Sequence, residues 1–213
     1  MIFIEKIITG KWKENCYIIY DINKHSFIID PGSNSDQITN FIKSKKLKVL
    51  AILNTHGHYD HVGAVKKLKE EFSIPFFLCF KDQRLLTRAN LYLMFFPGAK
   101  FIQIPKVDYY FDKITLPVKL ADFSIEVLFT PGHTKGSVCF QIEDVIFTGD
   151  TLLKGEIGRI DVTEGDRHIM KKSLKRISKL PIGIIIYPGH GEPTTLSNEL
   201  KYNNKFIEAM EWE

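Results

Sequence analysis

The sequence of 213 residues predicts a fold of the α/β class, in which helices cover β-sheets. Two observations lead to this prediction. Short runs of apolar and β-branched residues alternate along the chain with segments in which apolar residues recur at helical spacing. The composition, 44% hydrophobic and 25% charged, is that of a globular protein with an ordinary core. Because no repeat or Gly/Ser linker interrupts the pattern, we expect a single domain over residues 1–213.

The β-type runs predict nine strands, at residues 2–8, 16–21, 26–30, 49–54, 75–79, 124–130, 138–142, 145–148 and 184–187. The helical pattern predicts five helices, at residues 36–44, 62–72, 82–89, 166–178 and 197–207. The fourth helix has a capping residue, Asp166, at its start and a proline, Pro181, after its end. Its predicted apolar stripe consists of Ile169, Met170, Leu174 and Ile177.

The segment at residues 91–112 follows neither period and is rich in aromatic residues. One interpretation is a buried helix end followed by a packed loop. The other is an apolar lid or pocket wall beside an active site. These aromatic residues and Trp12 could also form a contact between copies of the chain, so the oligomeric state stays open.

Charge and cysteine content indicate which partners to expect. The net charge of +4 comes from lysines spread along the chain without a continuous basic stripe, so no nucleic-acid partner is expected. No apolar run approaches the ~18 residues of a membrane span, and charge near Met1 comes too early for a signal peptide. Three widely spaced cysteines suggest neither a disulfide framework nor a zinc knuckle. We therefore expect a cytoplasmic protein.

Four apolar strands run directly into metal-type ligands, at residues 51–61, 127–133, 145–150 and 184–190. Five of the seven histidines of the chain lie in these strand-end loops. Open sheets place their binding clefts at strand ends, and the glycines in these loops allow sharp turns and close approach. The candidate ligands outnumber the four that one tetrahedral zinc ion needs, so two metals that share a carboxylate suit the count better.

As a set, these motifs resemble the metallo-β-lactamase-fold hydrolases. The resemblance covers residues 16–196 and rests on Thr-His-Gly-His-Tyr-Asp-His at 55–61, Thr-Pro-Gly-His at 130–133, Thr-Gly-Asp at 148–150 and Pro-Gly-His at 188–190. It implies an αβ/βα four-layer sandwich, with two mixed sheets face to face, helices outside and metals at one edge. Ile-Gly-Arg-Ile-Asp at 157–161 and the short chain look most similar to the small glyoxalase II-like hydrolases.

The resemblance also implies roles for individual residues. The first metal would be held by His56, His58 and His133, and the second by Asp60, His61 and His190. Asp150 would bridge the two metals, and Asp30 would orient the histidine-rich loop. Zinc is the expected metal, with iron or manganese as alternatives. Asp60 would in addition act catalytically, by accepting a hydrogen bond from the attacking water.

The implied reaction is hydrolysis of a thioester or a related ester by a metal-activated water. Glyoxalase II enzymes carry a further helical part that binds glutathione, and the 23 residues after His190 are too few for it, so glutathione recognition stays open. Lys135, Lys154 and Arg159 are candidate anchors for the carboxylate of a small-molecule substrate, although Arg159 is expected to pair with Asp161 or with a backbone carbonyl.

Three other functions remain open at this point. A lactonase could use the same ligand set. A persulfide dioxygenase would use a single iron held by His56, His133 and Asp150. A non-catalytic metal-binding module would have its metal saturated by protein ligands.

Overall fold

The computed structural model describes residues 1–162 and 164–212. The chain divides into two compact units, Met1–Ile114 and Thr115–Glu213. Each unit contains one six-stranded sheet in which parallel and antiparallel neighbours are mixed, together with helices. The predicted α/β class with two mixed sheets is therefore confirmed.

The sheet of the first unit begins antiparallel and continues parallel. Its strands, in spatial order, are β1 (Ile2–Thr9), β2 (Glu14–Asp21), β3 (His25–Ile29), β4 (Lys48–Leu53), β5 (Phe76–Leu78) and β6 (Tyr109–Tyr110). From β3 onward every neighbouring pair is parallel, so these strands end at the same edge. The near-continuous apolar runs of β3 and β4 fit strands that are buried inside a sheet.

The helices of the first unit follow its strands in the sequence. They are α1 (Ser35–Lys45), α2 (Tyr59–Val62), α3 (Val65–Phe72), α4 (Gln83–Thr87) and α5 (Ala89–Leu93). Ile38 and Ile42 of α1 and Leu68 of α3 join the core that the sheet residues Ile28 and Ile52 form. The helix predicted at 62–72 is thus interrupted after Val62, because the histidine-rich loop forms a short helix of its own.

The sheet of the second unit has a parallel pair among antiparallel neighbours. Its strands are β7 (Val118–Leu120), β8 (Phe123–Phe129), β9 (Val138–Ile142), β10 (Val145–Gly149), β13 (Ile185–Pro188) and β14 (Thr194–Thr195), in the spatial order β14-β13-β10-β9-β8-β7. A separate hairpin consists of β11 (Leu152–Leu153) and β12 (Glu156–Ile157). Strands β8, β10 and β13 run in the same direction.

The described residues of the second unit form three helices, α6 (Arg167–Ile177), α7 (Leu196–Tyr202) and α8 (Asn204–Glu211). The side chain of Asp166 accepts a hydrogen bond from the backbone N–H of Ile169, which confirms the predicted start of α6. The predicted stripe is wrong at Ile169, which is 38% exposed. The buried face instead runs through Met170, Ser173, Leu174 and Ile177, the spacing of one helical face.

The helix predicted at 197–207 is divided at Asn203. The side chain of Asn203 accepts a hydrogen bond from Phe206 N at 2.9 Å and so starts a new helix, α8. Its amide also donates to Glu199 Oε2 at 2.8 Å and to the Glu156 carbonyl oxygen at 3.0 Å. Asn203 therefore connects α7, α8 and the β11–β12 hairpin through its side-chain hydrogen bonds.

The three cysteines are buried and none of them forms a disulfide. Burial raises the pKa of the Cys16 thiol well above its usual range and that of Cys79 to about 11. Among the helices of the described part of the chain, none has the length and apolar character needed to cross a membrane.

Candidate metal centre

The histidine-rich loop of the first unit begins where β4 ends. It carries His56, His58, Asp60 and His61, which we call the first ligand group. His56 and His61 are buried, whereas His58 and Asp60 are partly exposed. The ring centroid of His56 lies 4.8 Å from that of His58 and 4.2 Å from that of His61. The three histidines of the first ligand group are thus packed together.

Asp30 holds this loop from the end of the neighbouring strand, β3. Its carboxylate accepts hydrogen bonds from Thr55 N at 2.7 Å, from Thr55 Oγ1 at 2.5 Å and from His61 Nδ1 at 3.0 Å. These contacts fit the orienting role that the resemblance implies for Asp30. Asp30, His56 and His61 each offer a ligand atom within 4.8 Å of the other two, so this carboxylate lies close to the ligand group as well as supporting it.

The same contacts determine which nitrogen each imidazole can offer. Since Asp30 only accepts hydrogen bonds, the proton of His61 is on Nδ1. The Thr55 hydroxyl gives its proton to Asp30, so it accepts from Nδ1 of His56, 3.0 Å away. Both histidines therefore carry the lone pair on Nε2, the arrangement that metal-binding histidines adopt when the other nitrogen is hydrogen-bonded.

Two further residues that the sequence did not single out support the loop. Asn54 Nδ2 donates to the backbone carbonyl oxygen of His61 at 2.7 Å. The buried carboxylate of Asp82 accepts a hydrogen bond from Gly57 N, between His56 and His58, at 2.9 Å. Asp82 follows β5, so it reaches the loop from the same sheet edge as Asp30. The position of Asp82 shortly after a buried strand is the sequence feature that could have indicated this role.

Glu14 is a third residue that sequence analysis missed. Its side chain is fully buried and accepts a hydrogen bond from the Thr9 hydroxyl. Its other carboxylate oxygen, Oε2, has no hydrogen-bond partner among the described residues. Loss of hydration is the main cause that raises the pKa of this carboxyl, and the charge of Asp60 adds to the rise.

In the second unit, three parallel strands bring the remaining ligands to one edge. His133 follows β8, Asp150 follows β10, and His190 follows β13. We call these three residues the second ligand group. Strands β10 and β13 are paired, and the Gly189 N–H donates to the Gly149 carbonyl oxygen at 2.8 Å. This bond holds together the two turns that carry Asp150 and His190.

Asp150 lies at the centre of the second ligand group. Its Oδ2 atom is 3.6 Å from Nε2 of His133 and 3.6 Å from Nε2 of His190. These distances are too long for hydrogen bonds. Ligand atoms around a tetrahedral zinc ion lie about 3.4 Å from one another, given metal–ligand bonds of ~2.0–2.2 Å. The spacing of these nitrogen and oxygen atoms therefore fits divalent metal ions. The Asp150 carboxylate could act as a ligand together with either histidine.

His133 is held in place by the backbone around it. Its Nδ1–H donates to the Arg159 carbonyl oxygen at 2.8 Å, so its lone pair, too, is on Nε2. The turn before it needs glycine, because Gly132 has a φ of 138° and a Cβ there would lie 2.5 Å from Met170 Cα. Helix α6 thus packs directly against the loop that presents His133.

The cationic candidates lie on the surface. The expected pairing of Arg159 with Asp161 is confirmed by two hydrogen bonds, of 2.9 and 3.0 Å, which lower the pKa of the Asp161 carboxyl. Lys135 and Lys154 are exposed. A role for any of the three in substrate binding stays a prediction.

The sequence of the chain matches a known protein family over most of its length. Residues 9–190 match the sequence model of the metallo-beta-lactamase superfamily. The chain belongs to this superfamily. Members of the metallo-beta-lactamase superfamily are mostly metal-dependent hydrolases that act on small molecules, and the histidine and aspartate groups of the chain are of the kind that binds metal.

The superfamily relatives match along the whole chain. The hydroxyacylglutathione hydrolase GloC of Haemophilus influenzae is 35% identical over 215 residues, which cover 97% of this chain and 98% of GloC. Among solved structures, BLEG-1, described as a B3 metallo-beta-lactamase, superposes with a TM-score of 0.86 at 31% identity, over 97% of this chain and 99% of BLEG-1. TTHA1623, solved in a di-iron-bound form, gives a TM-score of 0.82 at 33% identity, over 94% of this chain and 98% of TTHA1623.

Proposed function

We propose that this protein is a dinuclear metallohydrolase that cleaves a thioester of the hydroxyacylglutathione type or a related ester. The observation that carries the proposal is the position of Asp150 Oδ2, 3.6 Å from Nε2 of both His133 and His190. A carboxylate oxygen equally distant from two imidazole nitrogens suits a bridge between two cations. The similarity to GloC along nearly the full length of both chains supports the choice of substrate.

Both ligand groups serve the same metal pair in this proposal. His56, His58 and His133 would hold one metal, Asp60, His61 and His190 would hold the other, and Asp150 would be shared. We expect zinc, with iron or manganese as alternatives, because imidazole and carboxylate ligands accept all three; the iron bound to TTHA1623 supports iron as a candidate. Bound metals of this kind polarise a carbonyl oxygen and lower the pKa of a coordinated water to ~7.

The side chains of the protein would position the reactants. Asp60 is partly exposed, so it can accept a hydrogen bond from the attacking water and orient it towards the carbonyl carbon. Asp30 keeps the Nε2 lone pair of His61 in place, and the Arg159 carbonyl does the same for His133. We also propose that the two units act as one domain, because one family model spans residues 9–190, and that the protein works in the cytoplasm, where its cysteines stay reduced.

The decisive experiment counts metals and activity on the same preparation. Protein purified without added metal is analysed for zinc, iron and manganese, and then assayed with S-lactoylglutathione, a γ-lactone, a cephalosporin and glutathione persulfide. We expect about two metal ions per chain and hydrolysis of the thioester. Asp150→Ala should lose bound metal and turnover together, whereas the exposed control Asp122→Ala should keep both. Retained turnover in Asp150→Ala would contradict the proposal.

The other substrates test the alternatives on the same sample. One iron per chain with persulfide-dependent oxygen uptake would indicate the dioxygenase. Lactone cleavage without thioester cleavage would indicate a lactonase. Cleavage of the cephalosporin would indicate a β-lactamase, which the similarity to BLEG-1 makes worth testing. Saturated metal without any turnover would indicate a non-catalytic module.

A further inference from the structure

Three aromatic rings from distant parts of the first unit meet in one cluster. The ring of Trp12 lies 4.8 Å from that of Tyr59 and 5.7 Å from that of Phe96, and the rings of Tyr59 and Phe96 lie 5.6 Å apart. All three contacts are tilted or edge-on, the geometries that aromatic pairs prefer. We call Trp12, Tyr59 and Phe96 the aromatic cluster.

The position of the aromatic cluster is tied to the ligands by the chain itself. Tyr59 stands between His58 and Asp60 in the sequence, and its ring centroid lies 6.5 Å from that of His58. Trp12 belongs to the turn between β1 and β2, and Phe96 follows α5. Three separate segments thus place apolar surface directly beside the first ligand group.

The aromatic cluster is partly open to solvent, since Trp12 and Tyr59 are half-buried and Phe96 is exposed. Phe96 is 40% exposed, and its neighbours Met94 and Phe95 are 67% and 81% exposed. The structure has a buried helix end at Leu93, the last buried residue of α5, and a packed loop further on, in which Val107 and Phe111 are buried; residues 94–98 between them are exposed. Aromatic rings that pack together at the surface suit a binding site for an apolar group.

Hydrogen bonds hold the segment that carries Phe96 in place. The side chain of Asn90 bonds twice to Ile102, accepting from its N–H at 2.9 Å and donating to its carbonyl oxygen at 3.0 Å. Lys11 Nζ donates to the Pro97 carbonyl oxygen at 3.3 Å, which links the segment to the turn of Trp12. The rings of the aromatic cluster are therefore preorganised in the absence of ligand, which reduces the conformational entropy lost on binding.

We propose that the aromatic cluster binds the apolar part of the acyl group of the substrate, so that the enzyme prefers thioesters with bulky aliphatic or aromatic acyl groups. This inference rests on the proposed thioesterase function. A thioester whose carbonyl lies beside His58 brings its acyl group next to Tyr59, where Trp12 and Phe96 complete an apolar wall. An acetyl group would leave most of this wall in water, whereas a phenylacetyl group would cover it and gain both burial and aromatic contact.

An acyl series on a constant leaving group tests the proposal. N-acetylcysteamine thioesters of acetate, butyrate, hexanoate and phenylacetate are compared by kcat/KM with the metal-loaded enzyme. We expect kcat/KM to rise with acyl size, by up to about fourfold for each methylene group that becomes buried. Trp12→Ala and Phe96→Ala should flatten this rise and lower the ratio of the phenylacetyl to the acetyl kcat/KM by about tenfold.

Phe3→Ala is the matched control. Phe3 is also an exposed aromatic residue in a stacked pair, with Tyr20 at 5.2 Å, and it lies at the far end of β1 from the turn that carries Trp12. It should leave the whole acyl series unchanged. A size dependence that is equally steep in wild type, Trp12→Ala and Phe96→Ala would overturn the inference while leaving thioester hydrolysis intact. Absence of hydrolysis for every thioester would contradict the proposed function instead.

A binding measurement gives a second readout that does not depend on turnover. The sequence contains two tryptophans, so Trp212→Phe leaves Trp12 as the sole indole fluorophore. Phenylacetate, a product of the series, should change the emission of Trp12 at concentrations where acetate has no effect. Phe96→Ala should weaken this response at least about threefold. If the variants change only the oligomeric state and neither readout, the aromatic cluster is a contact between copies and the inference is wrong.

Discussion

The backbone of Gly158 packs directly against the carbonyl group of Asp150: a Cβ on Gly158 would lie 1.5 Å from the Asp150 carbonyl oxygen and 3.3 Å from His133 Cβ. Arg159, whose carbonyl oxygen fixes the His133 imidazole, is the next residue. The segment after the β11–β12 hairpin therefore determines the position of two ligands at once, without contributing a ligand itself.

We expect Gly158→Ala to weaken metal binding, because any shift that makes room for the methyl group must move Asp150 or the Arg159 carbonyl. Loss of a group that supports metal ligands typically costs about 10–100-fold in affinity. The measurement is zinc affinity by competition with a chromophoric chelator. Gly183→Ala is the matched control, since a Cβ at Gly183 meets no atom within 4 Å, and unchanged affinity in both variants would contradict the argument.

Asp82 should matter for metal binding although it is not a predicted ligand. Asp82→Ala removes the acceptor of the Gly57 N–H between His56 and His58, so we expect about 10–100-fold weaker metal binding. Asp82→Asn retains an acceptor oxygen and should recover most of the loss. Asp112→Ala serves as the control, because Asp112 likewise accepts one backbone N–H, from Phe80, at an exposed position. An equal loss in the control would refute a specific role.

Glu14 should make the stability of the metal-free protein depend on pH. Burial raises the pKa of Glu14 above its ordinary value of 4.5, so the native state retains a proton that the unfolded state has released. This contribution to stability is complete below about pH 4.5 and is lost as the pH rises through the native pKa. Glu14→Gln should therefore flatten the decline in the free energy of unfolding above pH 4.5 in urea unfolding experiments, whereas the exposed control Glu126→Gln should leave the wild-type slope.

The cysteines should be unreactive in the folded protein. Burial raises the pKa of Cys16 and Cys79, so the reactive thiolate is scarce at pH 8. An aromatic disulfide reagent should modify less than about one thiol within minutes in the native state, and all three after denaturation. Ser44→Cys, which places a thiol on the exposed face of α1, should add one fast-reacting group. Rapid modification of the wild type would contradict the burial of these thiols.

The strands that surround the ligands could be predicted from the sequence because they are buried on both faces and end abruptly. The predicted strand at 138–142 has the bounds of β9, β10 extends one residue beyond its prediction, and β4 begins and ends one residue earlier than predicted. Strands β6, β11, β12 and β14 have two residues each, too few for a period to show. The prediction places Asn203 inside a helix because apolar residues continue at helical spacing on both sides of it, although asparagine is a common N-cap residue.

In the candidate site, too, some residues could be predicted from the sequence and others could not. Histidines in glycine-bearing turns after apolar strands form a pattern that chance rarely produces, so the seven proposed ligands could be named. Asn54 and Asp82 could not, since a single amide or carboxylate next to a strand has many other uses. Their part in the site depends on hydrogen bonds to the backbone of residues 57 and 61, which only the folded chain reveals.

Asp30, Asn54 and Asp82 bind the histidine-rich loop to the sheet through protein contacts alone. Because these anchors need no cation, the chain is expected to reach its folded form first and to acquire its ions afterwards. A metal centre that is filled after folding is expected to bind whichever suitable ion the cell supplies in excess. Growth in media enriched in one metal would then change the occupant while the polypeptide around it stays the same.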